Sequence, residues 1–228
     1  MNASDWQAIR LSLLVAIGAV LWIAIPGIAV GWMLGRSKLR ARPLWETLVA
    51  LPLVLPPVVS GLIVLVLASP RGPLGWLWTD VIGGSPAFTP YGAIIASGIV
   101  AFPLLARTAA TGFAALDRRL LEVAAGFGAG RLMMAREVIW PQARGAILSG
   151  LILAFGRALG EFGATVIVAG NIPGLTQTIP LAIYQKVQIG DDAAALRLTL
   201  IAIMLALVTV GWATALLNCR RPSPIQPN

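Results

Sequence analysis

The chain has no histidine and a single cysteine, Cys219, among its 228 residues. The lack of histidine excludes Ser-His catalysis and histidine-ligated metals, and one cysteine can form neither an internal disulfide nor a thiolate metal cluster. Charged residues make up only 11%, whereas soluble domains contain about 25%. Hydrophobic residues reach 58%, so too little polar surface remains to cover a water-facing globule. The composition indicates a membrane protein.

Long uncharged runs divide the chain into candidate membrane spans. A helix needs about 20 apolar residues to cross a hydrocarbon core about 30 Å thick, and it satisfies its own backbone hydrogen bonds there. The runs therefore predict an all-α bundle of about five helices, with six as the alternative, in one domain over residues 1–220. The predicted spans are 12–34, 47–69, 91–111, 145–168 and 197–218, and the tail 221–228 is predicted to be disordered.

The uncharged stretch 162–185 is predicted to be a surface loop that leads into a short helix at 181–188. Asn171, Pro173 and Pro180 lie inside it and would leave backbone groups unpaired in lipid. A re-entrant segment packed within the protein is the alternative.

Basic residues are unevenly placed along the chain, which carries a net charge of +8. They gather between spans one and two, between spans three and four, and after span five. The Lys/Arg bias of short loops predicts that this side is cytoplasmic, with the N-terminus outside. Because the charges lie between apolar runs, they indicate topology and lipid headgroup contact and do not point to nucleic acid.

The cytoplasmic loop 112–144 is amphipathic. Gly126, Gly128 and Gly130 interrupt it midway, and Pro141 closes it. This pattern predicts two short helices, joined at the glycines, that offer apolar side chains to a partner. A helix lying in the lipid interface is the alternative.

Part of this loop resembles the "EAA" signature of ABC importer permeases, which reads Glu-Ala-Ala, three residues, Gly, nine residues, Ile, one residue, Leu-Pro. Val123, Val138 and Trp140 depart from that pattern. The resemblance implies that this loop forms coupling helices, which sit in a groove of a nucleotide-binding subunit. An alternative role for the glutamate is a charge at a helix N-terminus. The implied coupling residues are Glu122, Ala124, Ala125, Gly128 and Pro141.

A Walker A loop requires Gly-Lys-Ser/Thr. The two lysines of the chain, Lys38 and Lys186, follow Ser37 and Gln185. We therefore predict that the chain is not an enzyme and holds no cofactor, ATP and Mg being bound by a partner. The resemblance implies a homodimer of this chain with two ABC ATPase subunits and an extracytoplasmic binding protein.

Charged and helix-bending residues mark a candidate gate. Arg157 and Glu161 are four residues apart in span four and share a helix face. Mutual neutralisation, gating and direct substrate contact are all open for this pair. Prolines in span two predict bends in that helix. The bent helix either lines the transport path or bends for packing alone. The gate and pathway candidates are Pro52, Pro56, Pro57, Arg157, Gly160, Glu161 and Gly163.

The segments Gly160–Thr165, Asn171–Gly174 and Thr178–Tyr184 resemble molybdate importer permeases. Sulfate/thiosulfate permeases share the Gly-Glu-Phe-Gly part of this pattern. The resemblance implies an inner-membrane permease that carries molybdate, with tungstate, by alternating access. The alternatives are a sulfate/thiosulfate permease and, from another class, a membrane scaffold without transport.

Overall fold

The computed structural model describes residues 2–36, 41–69, 72–73, 75, 80 and 83–218, without the side chains of 216–218. All regular structure in these residues is helical, which confirms the predicted fold class. The predicted tail 221–228 lies outside them. The helices are α1 (Ala3–Arg36), α2 (Arg42–Val54), α3 (Pro57–Ala68), α4 (Pro90–Ala114), α5 (Arg118–Gly126), α6 (Arg131–Met133), α7 (Trp140–Leu159), α8 (Gly163–Ala169), α9 (Ile179–Gln188) and α10 (Asp192–Asn218), with a π-helix (Met134–Ile139) between α6 and α7.

The described helices contain enough apolar length for a multi-span membrane protein. Four are long and apolar enough to cross a bilayer: α1, α4, the continuous helix Arg131–Leu159 and α10. The pair α2 and α3 makes a fifth if the two are taken as one span.

Helices α1 and α4 form the centre of the bundle through a ladder of small residues. Gly27, Gly31 and Gly35 recur every four residues on one face of α1. A Cβ added to Gly31 would lie 2.6 Å from the Cβ of Ala109, and one added to Gly35 would lie 2.5 Å from the carbonyl oxygen of Ala110. Small residues at this spacing let helix backbones approach closely in a membrane.

The predicted bend in span two is found between α2 and α3. The two helices meet at an angle of 105°. Leu55 and Pro56 have extended backbone angles there, since the Pro56-Pro57 pair cannot continue the hydrogen-bond ladder of α2. Pro52 lies inside α2, one turn before the break.

The structure differs from the prediction at the fourth span. The helix that was expected over 145–168 begins earlier and ends at Leu159, and α8 follows as a separate short helix. The second short helix predicted in loop 112–144 is also not separate, because α6, the π-helix and α7 run on as one helix from Arg131.

The segment between α8 and α10 confirms the predicted surface loop only in part, since residues 172–175 are exposed. Its short helix is present as α9, and begins at Ile179 rather than 181. However, Thr176, Gln177 and Thr178 are buried, and the backbone N–H of Ile179 donates to the Ser12 hydroxyl of α1. This polar segment is therefore packed within the protein, closer to the alternative that we considered.

Candidate functional site

Residues 117–141 project from one end of the bundle, and we call them the foot. Asp117 caps α5, with its carboxylate accepting from the backbone N–H of Arg119 at 2.8 Å. The backbone N–H of Asp117 donates to Gln142 Oε1, and Gln142 Nε2 donates to the Val138 carbonyl. One side chain of α7 thus ties the start of α5 to the end of the π-helix. The capping role of Asp117 has a signal in the sequence, because an Asp before a helical run is typical of an N-cap. The role of Gln142 has no such signal.

The foot exposes large apolar side chains. No residue of α5, α6 or the π-helix is buried. Phe127 is 89% exposed and Leu132 is 81% exposed. A large apolar surface that a chain leaves open marks a contact with a partner or with lipid. Its other exposed large hydrophobic side chains are Leu120, Val123, Met133 and Trp140.

The structure brings most of the predicted coupling residues together on α5 and its C-terminal turn. Ala124 is half-buried, whereas Glu122 and Ala125 are exposed. Gly128 has a φ of +78°, a left-handed conformation that favours glycine, and it ends the helix with open space around it. Glu122 and Ala125 are three residues apart and share one face of α5, whereas Ala124 lies on another.

Two expectations for the foot need correction. Glu122 is not in the first turn of α5, so a favourable charge at the helix N-terminus does not explain it; Asp117 has that place. Pro141 does not close the loop, because it lies in the first turn of α7, within the helix that continues from the foot into the bundle.

The second candidate region is made by two helix breaks, residues 55–57 and 160–163, and we call it the break region. Gly163 lies directly against Pro57: an added Cβ would be 2.9 Å from the Pro57 Cβ. An added Cβ on Gly61 would likewise lie 2.8 Å from the Cα of Ala164. The breaks of α2–α3 and α7–α8 therefore meet with almost no side-chain volume between them.

A buried ion pair lies at the end of α7. Arg157 Nη1 lies 2.6 Å from Glu161 Oε2, and Glu161 Oε1 accepts the backbone N–H of Ala164 at 2.8 Å. Glu161 is 2% exposed and Arg157 is 28% exposed. One carboxylate therefore neutralises the arginine and also satisfies a free backbone donor of α8. This geometry supports mutual neutralisation of Arg157 and Glu161. Gly160, another gate candidate, ends α7 next to Glu161.

Hydroxyl groups that the sequence analysis missed lie near these breaks. Ser97 of α4 and Thr165 of α8 are buried, with their hydroxyl oxygens 3.4 Å apart. Ser60 of α3 is also buried, beside Gly61. Single serines and threonines in apolar runs carry no sequence signal of such proximity.

The two regions are separate but linked. Pro141 and Arg157 are 16 residues apart on α7, which is about 24 Å at about 1.5 Å per residue. The continuous helix Arg131–Leu159 thus joins the exposed apolar side chains of the foot to a packed helix break at its other end. Such a helix can transmit a displacement of the foot to the break region.

Comparisons with known proteins agree with these features. The family model for "Binding-protein-dependent transport system inner membrane component" matches residues 27–220. The "Molybdenum transport system permease protein ModB" of Escherichia coli (strain K12) is 40% identical over 207 residues, 90% of each chain. The "Probable sulfate transport system permease protein cysT" of Nephroselmis olivacea is 31% identical over 212 residues, 92% of this chain and 74% of its own.

A solved structure has the same fold at low sequence identity. It is a bacterial alginate ABC transporter in complex with an alginate pentasaccharide-bound periplasmic protein. The TM-score is 0.71 at 19% identity, over 94% of this chain and 78% of that one.

Proposed function

The chain belongs to the family of binding-protein-dependent transport system inner membrane components, and from this premise we propose that it is the permease subunit of an ATP-driven molybdate importer. Molybdate, with tungstate, crosses by alternating access. The observation that carries the proposal is the foot, an exposed apolar surface continuous with a helix that ends at a packed break. The 40% identity to a molybdenum permease over 90% of both chains supports the cargo.

The energy for transport comes from a separate ABC ATPase, two copies of which bind two copies of this chain. The chain offers no Gly-Lys-Ser/Thr sequence for a nucleotide phosphate, so ATP and Mg belong to that partner. The face of the foot around Glu122, Phe127 and Gly128 is the docking surface. Small residues there, Ala124 and Ala125, let the partner approach closely.

The path for the anion lies between two copies of the chain. The pair α2–α3 supports this because most of its apolar side chains are exposed in one copy, Leu51, Val58 and Leu62 among them. Pro52, Pro56 and Pro57 then shape the path, and the meeting of Pro57 with Gly163 acts as the gate. Arg157 and Glu161 hold the gate helix α8 without contacting the anion.

Selection of the cargo takes place outside the membrane, in an extracytoplasmic molybdate-binding protein. A path that bound a tetrahedral dianion tightly would trap it, because conduction requires weak binding. The scarcity of cationic residues in the spans supports this division of work. The chain lies in the cytoplasmic membrane with its N-terminus outside, as the Lys/Arg bias favours.

Two measurements test the proposal. Purification of the full chain from the membrane with its genomic neighbours expressed should yield a co-purifying ATPase, and failure to recover one would favour the membrane scaffold. In liposomes containing that complex, ATP hydrolysis should rise on addition of molybdate-loaded binding protein.

Sulfate is the second candidate cargo, favoured by the 31% identity to a sulfate permease over 92% of this chain. The same liposomes with a sulfate-loaded binding protein test it. Stimulation by sulfate alone would replace molybdate with sulfate while leaving the importer assignment intact.

A further inference from the structure

An open apolar groove runs along the outside of the bundle at the end that carries the foot. Its volume is about 560 Å³. Ile25 is 81% exposed along it and Trp32 is 39% exposed, so these side chains face the surroundings of the bundle. The walls come from Ile25, Ala29 and Trp32 of α1, Phe113 of α4, Ala135 of the π-helix and Trp140 of α7.

The groove and the turn of α1 beyond it together have the length of one membrane leaflet, since the groove wall on α1 ends at Trp32 and Arg36 lies one turn further. Ile25 and Arg36 are 11 residues apart on α1, which is about 16 Å at about 1.5 Å per residue. A hydrocarbon core about 30 Å thick gives each leaflet a depth of about 15 Å. An acyl chain lying along α1 would therefore fill the groove and bring its headgroup to Arg36.

A cationic group stands at that end. The guanidinium carbon of Arg36 lies 5.8 Å from the centroid of the Trp32 ring, which holds it over the groove wall. Within the described part of the chain, no carboxylate forms an ion pair with Arg36. Guanidinium groups match phosphate geometry well, and tryptophan favours the headgroup depth of a membrane.

We infer that this groove binds one phospholipid with an anionic headgroup, the acyl chain against Ala29 and Trp140 and the phosphate at Arg36. Charge complementarity and the match to leaflet depth both favour this occupant over a protein helix. The inference rests on the proposed function only for its orientation, which places Arg36 in the cytoplasmic leaflet.

The bound lipid contacts the point where the foot joins the bundle. Ala135 lies in the π-helical turn and Trp140 directly follows it, and such turns occur frequently at functional sites. Trp140 is also a position where the chain departs from the "EAA" pattern. A lipid wedged between this turn and α1 would hold the angle of the foot, so transport would depend on the lipid class of the membrane.

Native mass spectrometry of the purified full chain with phosphatidylglycerol or phosphatidylcholine tests the inference. The wild type should retain phosphatidylglycerol preferentially. Arg36→Gln should lower that preference about fivefold, the effect of one cationic residue near an anionic surface. Ala29→Phe, which fills the groove from an exposed position, should reduce retention of both lipids.

Two matched variants control for general effects. Arg10→Gln removes an arginine that borders another apolar groove at the opposite end of α1, and Ala206→Phe enlarges an exposed alanine of α10. Both should bind lipid like the wild type. Equal phosphatidylglycerol preference in Arg36→Gln and wild type, or equal loss in Arg10→Gln, would overturn the inference.

A second readout guards against a misfolded variant. Phosphatidylglycerol with brominated acyl chains should quench the tryptophan fluorescence of the wild type. The quenching should be weaker in Ala29→Phe, provided that circular dichroism shows the variant to have the same helix content. Equal quenching in the two proteins would contradict lipid binding in the groove. Neither readout requires ATP, molybdate or an ATPase. A failed lipid result therefore leaves the importer proposal standing, and a failed transport result leaves the lipid site standing.

Discussion

The foot exposes apolar side chains, whereas the break region buries the charged side chain of Glu161. In the foot, Phe127 and Leu132 are left almost fully open. In the break region, Glu161 is nearly inaccessible and its two carboxylate oxygens each have a hydrogen-bond partner in the same chain. The difference shows which of the two regions has its contacts within the chain and which has side chains left uncovered. In the break region the buried carboxylate finds its partners within the chain, whereas the foot leaves large apolar side chains uncovered.

The largest effect that would test this contrast comes from Glu161→Gln. The variant keeps the shape of the side chain but removes the charge that neutralises Arg157 and one of two acceptor oxygens. Loss of one partner of a buried pair costs about 3 kcal/mol. Titration with SDS in mixed micelles measures that free energy of unfolding.

Glu46→Gln is the matched control, because Arg42 and Glu46 have the same spacing but are 48% and 50% exposed. Its cost should stay below about 1 kcal/mol. Equal losses in the two variants would show that burial does not set the value of the pair.

The next largest effect is expected for an exposed aromatic side chain of the foot. Phe127→Ala should weaken binding of the ATPase subunit by about 2 kcal/mol, or about thirtyfold, as an aromatic anchor at an interface does. Stability of the chain should change by less than about 0.5 kcal/mol because the side chain is 89% exposed. Biolayer interferometry with the immobilised complex partner measures the affinity.

Leu207→Ala provides its control on the exposed face of α10, where Leu207 is 67% exposed. This variant should bind the ATPase subunit normally. If both variants bound equally well, the foot would not be the docking surface.

A smaller effect is expected where the two breaks touch. Gly163→Ala places a Cβ 2.9 Å from the rigid Pro57 ring, so the helices must move apart at a cost of about 1.5 kcal/mol. Gly211→Ala, with open space around the added Cβ, should instead stabilise α10 by up to about 1 kcal/mol. Thermal unfolding in detergent compares them, and a stabilised Gly163→Ala would refute close contact.

The smallest effect on stability is expected for a glycine of the foot, which can be compared with a glycine of the same conformation in another turn. Gly128 and Gly190 both have a φ of +78° and open surroundings. Alanine at either position should cost about 1 kcal/mol for the left-handed conformation. Only Gly128→Ala should impair molybdate uptake in liposomes, since only Gly128 lies in the foot. Equal uptake in both variants would argue against a coupling role for Gly128.

Much of the fold follows from the sequence because it depends on local composition. Apolar runs longer than a bilayer is thick predict helices, and the Pro56-Pro57 pair predicts a bend wherever it lies. The exposed apolar side chains of the foot were also predictable, since the loop 112–144 is amphipathic and glycines interrupt it midway.

Other features depend on neighbours that are distant in sequence. The predicted span 145–168 did not place the break after Leu159, although the weak helix formers Gly160 and Gly163 lie there; the contact of Gly163 with Pro57 is between residues distant in sequence. Burial of Thr176 to Thr178 was missed for a similar reason: the hydroxyl of Ser12, 167 residues away from Ile179, supplies a partner that no local pattern reveals. The roles of the seven gate candidates and of the coupling residues stay predictions.

The unbroken run of helix from Arg131 to Leu159 has a mechanical consequence. Tilting a rod by about 10° moves a point about 24 Å along it by about 4 Å, more than the diameter of a water molecule. A modest rocking of the foot would thus be enough to shift the end of α7 beside the contact of Gly163 with Pro57, without a large rearrangement elsewhere in the chain.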